Sequence, residues 1–210
     1  PVTVRDGGGT VASGTIVRMG KSHLEIEISA PRCPPPPPPV HLLVPVADKE
    51  RMLLLAEKAT ELAVTTWRPV TWRRSRSVAG RGEGPVFGQK VGARMTGALL
   101  QSEGAWLPQR YPEANAERAI AALPADGTRL VLDLGGEPIA GVALTAPVTI
   151  ALGPEGGLEA DEVRRLVDAG FRRVALAGGV LRMETAAVVA LGLVRARLAA
   201  EVLVHVPVPA

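Results

Sequence analysis

The chain is poor in residues that form disulfide bonds or bind metals. Cys33 is its only cysteine, so an intramolecular disulfide and a cysteine-rich zinc site are both excluded. The three histidines, His23, His41 and His205, lack the spacing of metal ligands, and we predict no metal site. No apolar run is long enough to span a membrane, and the first residues do not follow the pattern of a signal peptide. These features predict a reducing, cytoplasmic setting without a membrane partner.

Lysine is also scarce, because only four of the 24 basic residues are lysines and the others are arginines. Arginine suits phosphate groups and stacks on nucleobases, so this bias is compatible with RNA binding. A GC-rich genome would favour arginine, alanine, glycine and proline codons in the same way. This codon bias accounts for most of the overall composition, but it does not explain local clusters of arginine.

An unbroken proline run at residues 34–39 divides the sequence. Such a run forms neither a helix nor a central strand, and it favours a stiff polyproline II spacer. Before it lie three strand-like segments separated by glycine-containing turns, at residues 2–5, 10–17 and 23–28. They indicate part of a small β-barrel. We predict a first domain over residues 1–39, which includes the proline linker, and a second domain over residues 40–210.

The second domain alternates between strand-like and helix-like segments. The strand-like segments are short and apolar, at residues 40–44, 65–71, 129–133, 147–152 and 173–176. Helical segments are indicated at residues 48–62, 86–104, 159–169 and 184–201. This alternation predicts an α/β fold, in which a mostly parallel sheet is covered by helices. Strands that lack polar alternation agree with this, since such strands are buried on both faces.

Three glycine-rich segments follow predicted strands, at residues 132–138, 153–157 and 177–184. In an open α/β sheet, ligands bind at the carboxyl ends of the strands. Any one of these segments taken alone is better explained as a tight turn. Three of them in successive positions favour a binding site that surrounds one small molecule with backbone groups.

The sequence argues against a nucleoside triphosphate as the ligand of this site. Neither G-x-G-x-x-G nor the phosphate-binding G-x-x-x-x-G-K-[ST] follows the relevant strands. The glycine-rich segments also hold no lysine and no pair of aspartates for magnesium. A mostly uncharged, backbone-lined pocket is a better match for an adenosine joined to a small zwitterion.

Two of these segments resemble the signature of a known family. Gly-Pro-Glu-Gly-Gly at residues 153–157 and Leu-Arg-Met-Glu-Thr-Ala at residues 181–186 are similar to the signature of the bacterial 16S rRNA (uracil-N3)-methyltransferases, the RsmE type of the SPOUT superfamily. Further matches occur in the same order as in the family, at residues 58–62, 73–75, 101–102 and 107–108. The resemblance covers about residues 40–200.

The resemblance implies a fold, a cofactor and a substrate. The fold is a SPOUT-type α/β domain with a C-terminal trefoil knot, preceded by a small, shortened PUA-like β-barrel that binds RNA. The implied protein is a homodimer that takes S-adenosylmethionine as cofactor and methylates N3 of a uridine in 16S rRNA of the small ribosomal subunit. The cofactor-binding residues that it implies are Leu132, Leu134, Leu152, Gly153, Glu155, Gly156, Gly157, Leu176, Gly178, Val180, Leu181 and Thr185.

Arg182 and Glu184 are the catalytic candidates that the signature implies. Arg182 would hold the cofactor carboxylate or orient the uridine, whereas Glu184 would accept a proton or fix Arg182. On their spacing alone, an ordinary charged helix start is the better explanation. RNA contacts are expected at Arg73, Arg74 and Arg76, where tryptophans are interleaved with arginines. Of these tryptophans, Trp67 is expected in the core because it lies inside a strand pattern.

The chain departs from the family pattern at three positions. Ala63 and Ala177 stand where glycine is usual, and Gly179 stands where arginine is common. Two alternative functions therefore stay open. One is a SPOUT methyltransferase that acts on tRNA or on a ribose 2′-hydroxyl, and the other is a non-catalytic RNA-binding factor in ribosome assembly.

Overall fold

The computed structural model describes residues 1–75, 84–176 and 178–204. The predicted RNA contact at Arg76 and the departure at Ala177 lie outside these ranges. None of the described helices is both long enough and apolar enough to cross a bilayer.

The N-terminal residues form a small antiparallel sheet of three strands in the order β1-β2-β3. These strands are β1 (Val2–Arg5), β2 (Val11–Met19) and β3 (Leu24–Ile28). The sheet is attached to the rest of the protein by main-chain bonds. The Gly9 N–H donates to the Ala105 carbonyl at 3.0 Å, and the Leu107 N–H donates to the Gly7 carbonyl at 2.8 Å. The strands predicted in this region are confirmed.

The larger sheet has seven strands and every pairing within it is parallel. Its strands are β4 (Val40–Pro45), β5 (Thr66–Thr71), β6 (Gln109–Arg110), β7 (Ala114–Asn115), β8 (Thr128–Pro138), β9 (Val148–Ala151) and β10 (Arg172–Ala175). The helices are α1 (Lys49–Glu61), α2 (Gly84–Gln101), α3 (Ala116–Ala121), α4 (Ala160–Asp168) and α5 (Met183–Val204). The strand order is β10-β8-β9-β4-β5-β6, and β7 also pairs with β5. The predicted α/β fold with a mostly parallel sheet is confirmed.

The central strands are apolar on both faces because each face packs against helices. Successive residues of β4 belong to different cores: Leu42 lies in the core that includes α1, α2 and α5, whereas Leu43 lies in the core that includes α3 and α4. Side chains of neighbouring strand residues point to opposite faces. A strand buried between two layers therefore needs an apolar residue at nearly every position, as the sequence pattern predicted.

The glycine-rich segment 132–138 is a strand and not the loop that the sequence analysis predicted. β8 continues through it to Pro138, and β10 follows it with a register shift between Arg173 and Val174. A Cβ on Gly136 would lie 2.5 Å from the Arg173 carbonyl carbon, closer than real Cβ contacts allow. These glycines therefore allow two strands to approach closely, which does not require a turn.

The ends of α1 agree with its sequence. The Asp48 carboxylate accepts hydrogen bonds from the backbone N–H groups of Glu50 and Arg51, at 3.1 and 3.3 Å. This side-chain cap starts the helix where the sequence predicted. Beyond the C-terminus of the helix, Ala63 adopts φ 53°, in the left-handed region that favours glycine.

Replacing Ala63 with glycine should raise the free energy of unfolding by about 0.5–1 kcal/mol, because glycine adopts this conformation without the steric cost of a Cβ. Urea unfolding should show a higher midpoint with an unchanged slope. Ala93→Gly, in the exposed interior of α2, is the matched control and should lower stability by about 1 kcal/mol. Equal effects of the two substitutions would contradict the conformational explanation.

Candidate active site

A cavity of about 500 Å³ lies at the carboxyl ends of β9 and β10 and beside the middle of β8, where β8 extends past the end of β9. Its volume is in the range of small-molecule sites. Most of the cofactor residues and one of the catalytic residues predicted from the sequence line it: Leu132, Leu134, Leu152, Gly153, Glu155, Gly157, Leu176, Val180, Leu181 and Arg182. Gly156, Gly178, Thr185 and Glu184 do not line it. The structure therefore brings three separated segments of the sequence together around one cavity.

The segment after β9 forms a tight turn over the cavity. The Gly157 N–H donates to the Pro154 carbonyl at 2.8 Å, and Gly157 has φ 74°. A Cβ on Gly153 would lie 3.1 Å from Leu158 Cγ and 3.2 Å from the Leu158 nitrogen. Glycine at these two positions lets the backbone turn back on itself and face the cavity directly.

Arg51 is a cavity residue that the sequence analysis did not find. It lies in the first turn of α1, and its Nη1 is 3.3 Å from Glu155 Oε1. The backbone N–H of Asp48 donates to the same Glu155 oxygen at 3.4 Å. Because α1 follows β4, its first turn lies at the same sheet edge as the cavity. The sequence does carry a signal for Arg51. It is a basic residue that follows a helix cap by three positions, shortly after the end of a strand.

Glu184 faces Arg51 instead of the cavity. Its Oε1 is 4.0 Å from Arg51 Nε, and only 10% of its side chain is exposed. Its other carboxylate oxygen is buried and has no hydrogen-bond partner among the described residues. At this separation the two groups form an ion pair and no hydrogen bond, so the carboxylate attracts the guanidinium group without fixing its orientation.

Asp133 is a second cavity residue that the sequence analysis did not find. Arg173 Nε donates to its carboxylate at 2.8 Å, and the Gly135 N–H donates at 2.9 Å. The Arg173 hydrogen bond lowers the pKa of Asp133, the Gly135 bond adds to this, and partial burial opposes it. Asp133 is therefore ionised at neutral pH, and the cavity wall carries two carboxylates, Asp133 and Glu155.

Arg182 lines the cavity and is exposed. Over the described parts of the chain, its guanidinium group has no hydrogen-bond or ion-pair partner. Thr185 is also exposed, in the first turn of α5, but it points outside the cavity lining. Arg182 is thus the one predicted catalytic residue that is placed to meet a second substrate at the cavity.

The predicted RNA cluster is divided between the core and the surface. Trp67 is buried, as expected, but so is Trp72, each with 2% of its surface exposed. Arg68 is buried and stacks on the Tyr111 ring at 3.8 Å from the ring centre. Neither tryptophan is therefore available to a base in this structure.

Arg73 and Arg74 are partly exposed and face the N-terminus of α4. Arg73 forms a two-point pair with Asp161, with a bond of 2.8 Å between Nη1 and Oδ1. Arg74 Nε donates to Glu159 Oε1 at 2.7 Å. These arginines contact the segment that follows the cavity turn, and their contact with RNA stays a prediction.

The chain matches a known protein family over most of its length. The model of the RNA methyltransferase domain family matches residues 34–195. The chain belongs to this family. It is 30% identical over 205 residues to the ribosomal RNA small subunit methyltransferase E of Mycobacterium bovis, and the match covers 90% of this chain and 75% of that protein. The Mycobacterium tuberculosis protein of the same name gives the same values.

A solved structure supports the fold. The ribosomal RNA small subunit methyltransferase E of Neisseria gonorrhoeae, crystallised with S-adenosyl methionine, matches with a TM-score of 0.84 at 24% identity. The match covers 93% of this chain and 82% of that chain. The family predicted from the sequence is confirmed, and the protein is an RNA methyltransferase.

Proposed function

We propose that this protein transfers a methyl group from S-adenosylmethionine to N3 of a uridine in 16S rRNA of the small ribosomal subunit, in the cytoplasm. The observation that carries the proposal is the cavity at the ends of β9 and β10 and beside the middle of β8, which is lined by most of the signature residues. The names of the relatives, and the bound cofactor in the Neisseria structure, support the substrate and the cofactor.

The cavity lining fits the methyl donor chemically. The leucines at 132, 134, 152, 176 and 181 offer apolar contacts to an adenosine, and the exposed backbone of Gly153 and Gly157 offers polar ones. Asp133 and Glu155 suit the positive charges of a sulfonium and an amino group, while Arg51 suits a carboxylate.

The chain's own residues have to align and polarise the uracil. S-adenosylmethionine supplies an already activated methyl group, so alignment of N3 with that methyl is the main requirement. N3–H lies on the Watson–Crick edge, so the uridine must be unpaired or flipped out. We assign to Arg182 the contact with the uracil, where its charge stabilises the negative charge that develops as N3 loses its proton.

Glu184 has a supporting role in this proposal. It attracts Arg51 through an ion pair at 4.0 Å, and Arg51 in turn contacts Glu155 at 3.3 Å beside the cavity. This assignment replaces the expected proton transfer by Glu184, because that carboxylate does not line the cavity.

The proposal includes the family's architecture. Residues 1–39 form the PUA-like RNA-binding domain, and residues 40–210 form the SPOUT domain with a C-terminal trefoil knot. A homodimer is supported by exposed apolar side chains on α1 and α5, two helices that pack against each other within the chain. These side chains are Leu54 on α1 and Val189 and Leu193 on α5. Sedimentation equilibrium at micromolar concentration should give twice the chain mass, and a monomer would contradict the dimer.

Calorimetric titration with S-adenosylmethionine tests the proposed function. We expect one cofactor bound per chain, and at least tenfold weaker binding by Gly153→Val, because the added side chain collides with Leu158. Gly97→Val, on an exposed part of α2 where a Cβ meets no atom within 4 Å, is the matched control and should bind normally. Well-folded protein without a heat of binding would favour the non-catalytic assembly factor.

The methylated nucleotide is tested separately by mass mapping of rRNA and tRNA from a deletion strain. Loss of a single methyluridine from 16S rRNA is expected, with restoration by the wild-type gene. An unchanged 16S rRNA profile with a missing tRNA or ribose methylation would favour the alternative SPOUT activity.

A further inference from the structure

We propose that Arg74 is a positioning residue that holds the turn over the cavity, residues 153–159, in the shape that binds the methyl donor. This inference rests on the proposed function and goes beyond it. It gives Arg74 a role toward the cofactor, in contrast to the RNA contact that the sequence predicts.

One guanidinium group bonds two points of this turn. Arg74 Nη1 donates to the Gly156 carbonyl oxygen at 2.6 Å, and its Nε donates to Glu159 Oε1 at 2.7 Å. The planar fork of an arginine fixes both the distance and the direction of such bonds. The two contacts therefore set the spacing between Gly156, at the centre of the turn, and Glu159, the N-cap of α4.

Gly156 is shaped for this contact and not for the cavity. A Cβ on Gly156 would lie 3.2 Å from Arg74 Cδ and 3.3 Å from Arg74 Cβ, so glycine leaves room for the aliphatic part of the arginine. The residues on either side, Glu155 and Gly157, line the cavity, whereas Gly156 does not. The turn thus has one side toward the cavity and the other toward Arg74.

Arg74 is itself attached to a rigid support. The preceding Trp72 is buried, and its N–H donates to Ser75 Oγ at 3.0 Å while its carbonyl accepts from the Ser75 N–H at 3.0 Å. The Arg73 N–H donates to Glu162 Oε1 at 2.8 Å, which adds a second link to α4. A guanidinium group on such an anchored turn restrains the segment that it contacts, because its own backbone does not move freely.

Glu159 transmits the restraint to α4. It is the N-cap of that helix, and Glu162 completes the capping box by accepting from the Glu159 N–H at 2.8 Å. Removal of the Arg74 side chain would leave the helix cap intact but would free the Gly156 carbonyl. The expected consequence is a turn that samples more conformations, and a cofactor that must order it on binding.

The test is calorimetric titration of S-adenosylmethionine into the wild-type protein, Arg74→Ala and Arg74→Lys. We expect the dissociation constant to rise about tenfold for Arg74→Ala and about threefold for Arg74→Lys, which keeps the charge but not the fork. Arg164→Ala, an exposed arginine of α4 outside the cavity lining, is the matched control and should bind as the wild type does. Binding of small-subunit rRNA without cofactor should change less than twofold in every variant.

A double substitution separates positioning from a general loss of stability. Gly156→Ala should weaken cofactor binding in the wild-type background because the new methyl group presses on the Arg74 stem. In the Arg74→Ala background the same substitution should have a smaller effect, since the contact with Arg74 Cδ at 3.2 Å is gone and only the contact with Cβ at 3.3 Å is left. Fully additive effects would overturn the proposal.

Two further outcomes are distinct. Unchanged cofactor affinity of Arg74→Ala, with or without weaker rRNA binding, would overturn the positioning role and leave the proposed function standing. No cofactor binding by the wild-type protein would overturn both.

Discussion

Replacing Arg195 with methionine should lower the free energy of unfolding by about 3 kcal/mol. The Arg195 side chain donates to three backbone carbonyls: Leu62 at 2.8 Å, Pro38 at 2.5 Å, and Ala63. Burial lowers the pKa of Arg195 to about 10, so the group stays charged at neutral pH and its hydrogen bonds are charge-assisted. Each partly buried carbonyl that loses its donor costs about 1 kcal/mol or more.

Loss of the Arg195 guanidinium group would remove a link between α5, the end of α1 and the proline run. Arg195 on α5 joins the C-terminal end of α1 to the end of the proline run. The proline run is also bonded to β9, because the Val148 N–H donates to the Pro39 carbonyl at 2.9 Å. Chemical unfolding measures the effect, and methionine keeps the apolar stem and the helix propensity.

Arg197→Met provides the matched control on the same helix. Arg197 donates to the Ile139 carbonyl at 3.2 Å and only weakly to a second carbonyl, so its loss should cost less than about 1 kcal/mol. Arg195→Lys, with a charge but no fork, should lie between the two. If Arg195→Met stays within about 1 kcal/mol of the wild type, then water replaces the guanidinium group and the three bonds are not a major source of stability.

The sequence was sufficient for most of the fold because local and global signals agree there. The short apolar segments predicted strands, and the segments at residues 48–62 and 159–169 predicted helices, that the structure contains. Pro69 shows a limit of such signals, because proline in a strand generally indicates an edge strand or a strand end. β5 nevertheless pairs with β4 on one side and with β6 and β7 on the other. Those two short strands pair at Thr66–Trp67 and at Val70–Thr71, so Pro69 lies in the gap between them and its missing N–H costs no ladder bond.

The candidate site was predictable where it is made of backbone and not where it depends on distant side chains. Glycine-rich strand ends indicated the cavity, because parallel strands bring their carboxyl ends to one edge. Arg51 and Asp133 were missed, since their importance comes from partners more than 30 positions away, Glu155 and Arg173. A glycine pattern also has more than one cause. Gly136 serves strand packing, and its segment was mistaken for a loop.

Replacing Arg182 with alanine should reduce the rate of methyl transfer about 100- to 1000-fold, the range observed when a group that stabilises developing negative charge is removed. Affinity for S-adenosylmethionine should change less than threefold, because Arg182 is assigned to the uracil. The reason is its placement. Arg182 lines the cavity, is exposed, and has no side-chain partner within the described residues. The measurement is transfer of labelled methyl groups to small subunits from a deletion strain, with cofactor binding measured in parallel.

The pH dependence distinguishes charge stabilisation from simple loss of structure. Raising the pH helps N3 lose its proton, so it should restore part of the rate in Arg182→Ala and less in the wild type. Arg182→Lys should retain more activity than alanine because it keeps the positive charge. Arg164→Ala, which changes an exposed arginine outside the cavity lining, should transfer methyl groups normally. A loss of rate explained entirely by weaker cofactor binding would instead assign Arg182 to the carboxylate of the methyl donor, and the proton at N3 would then depend on another group.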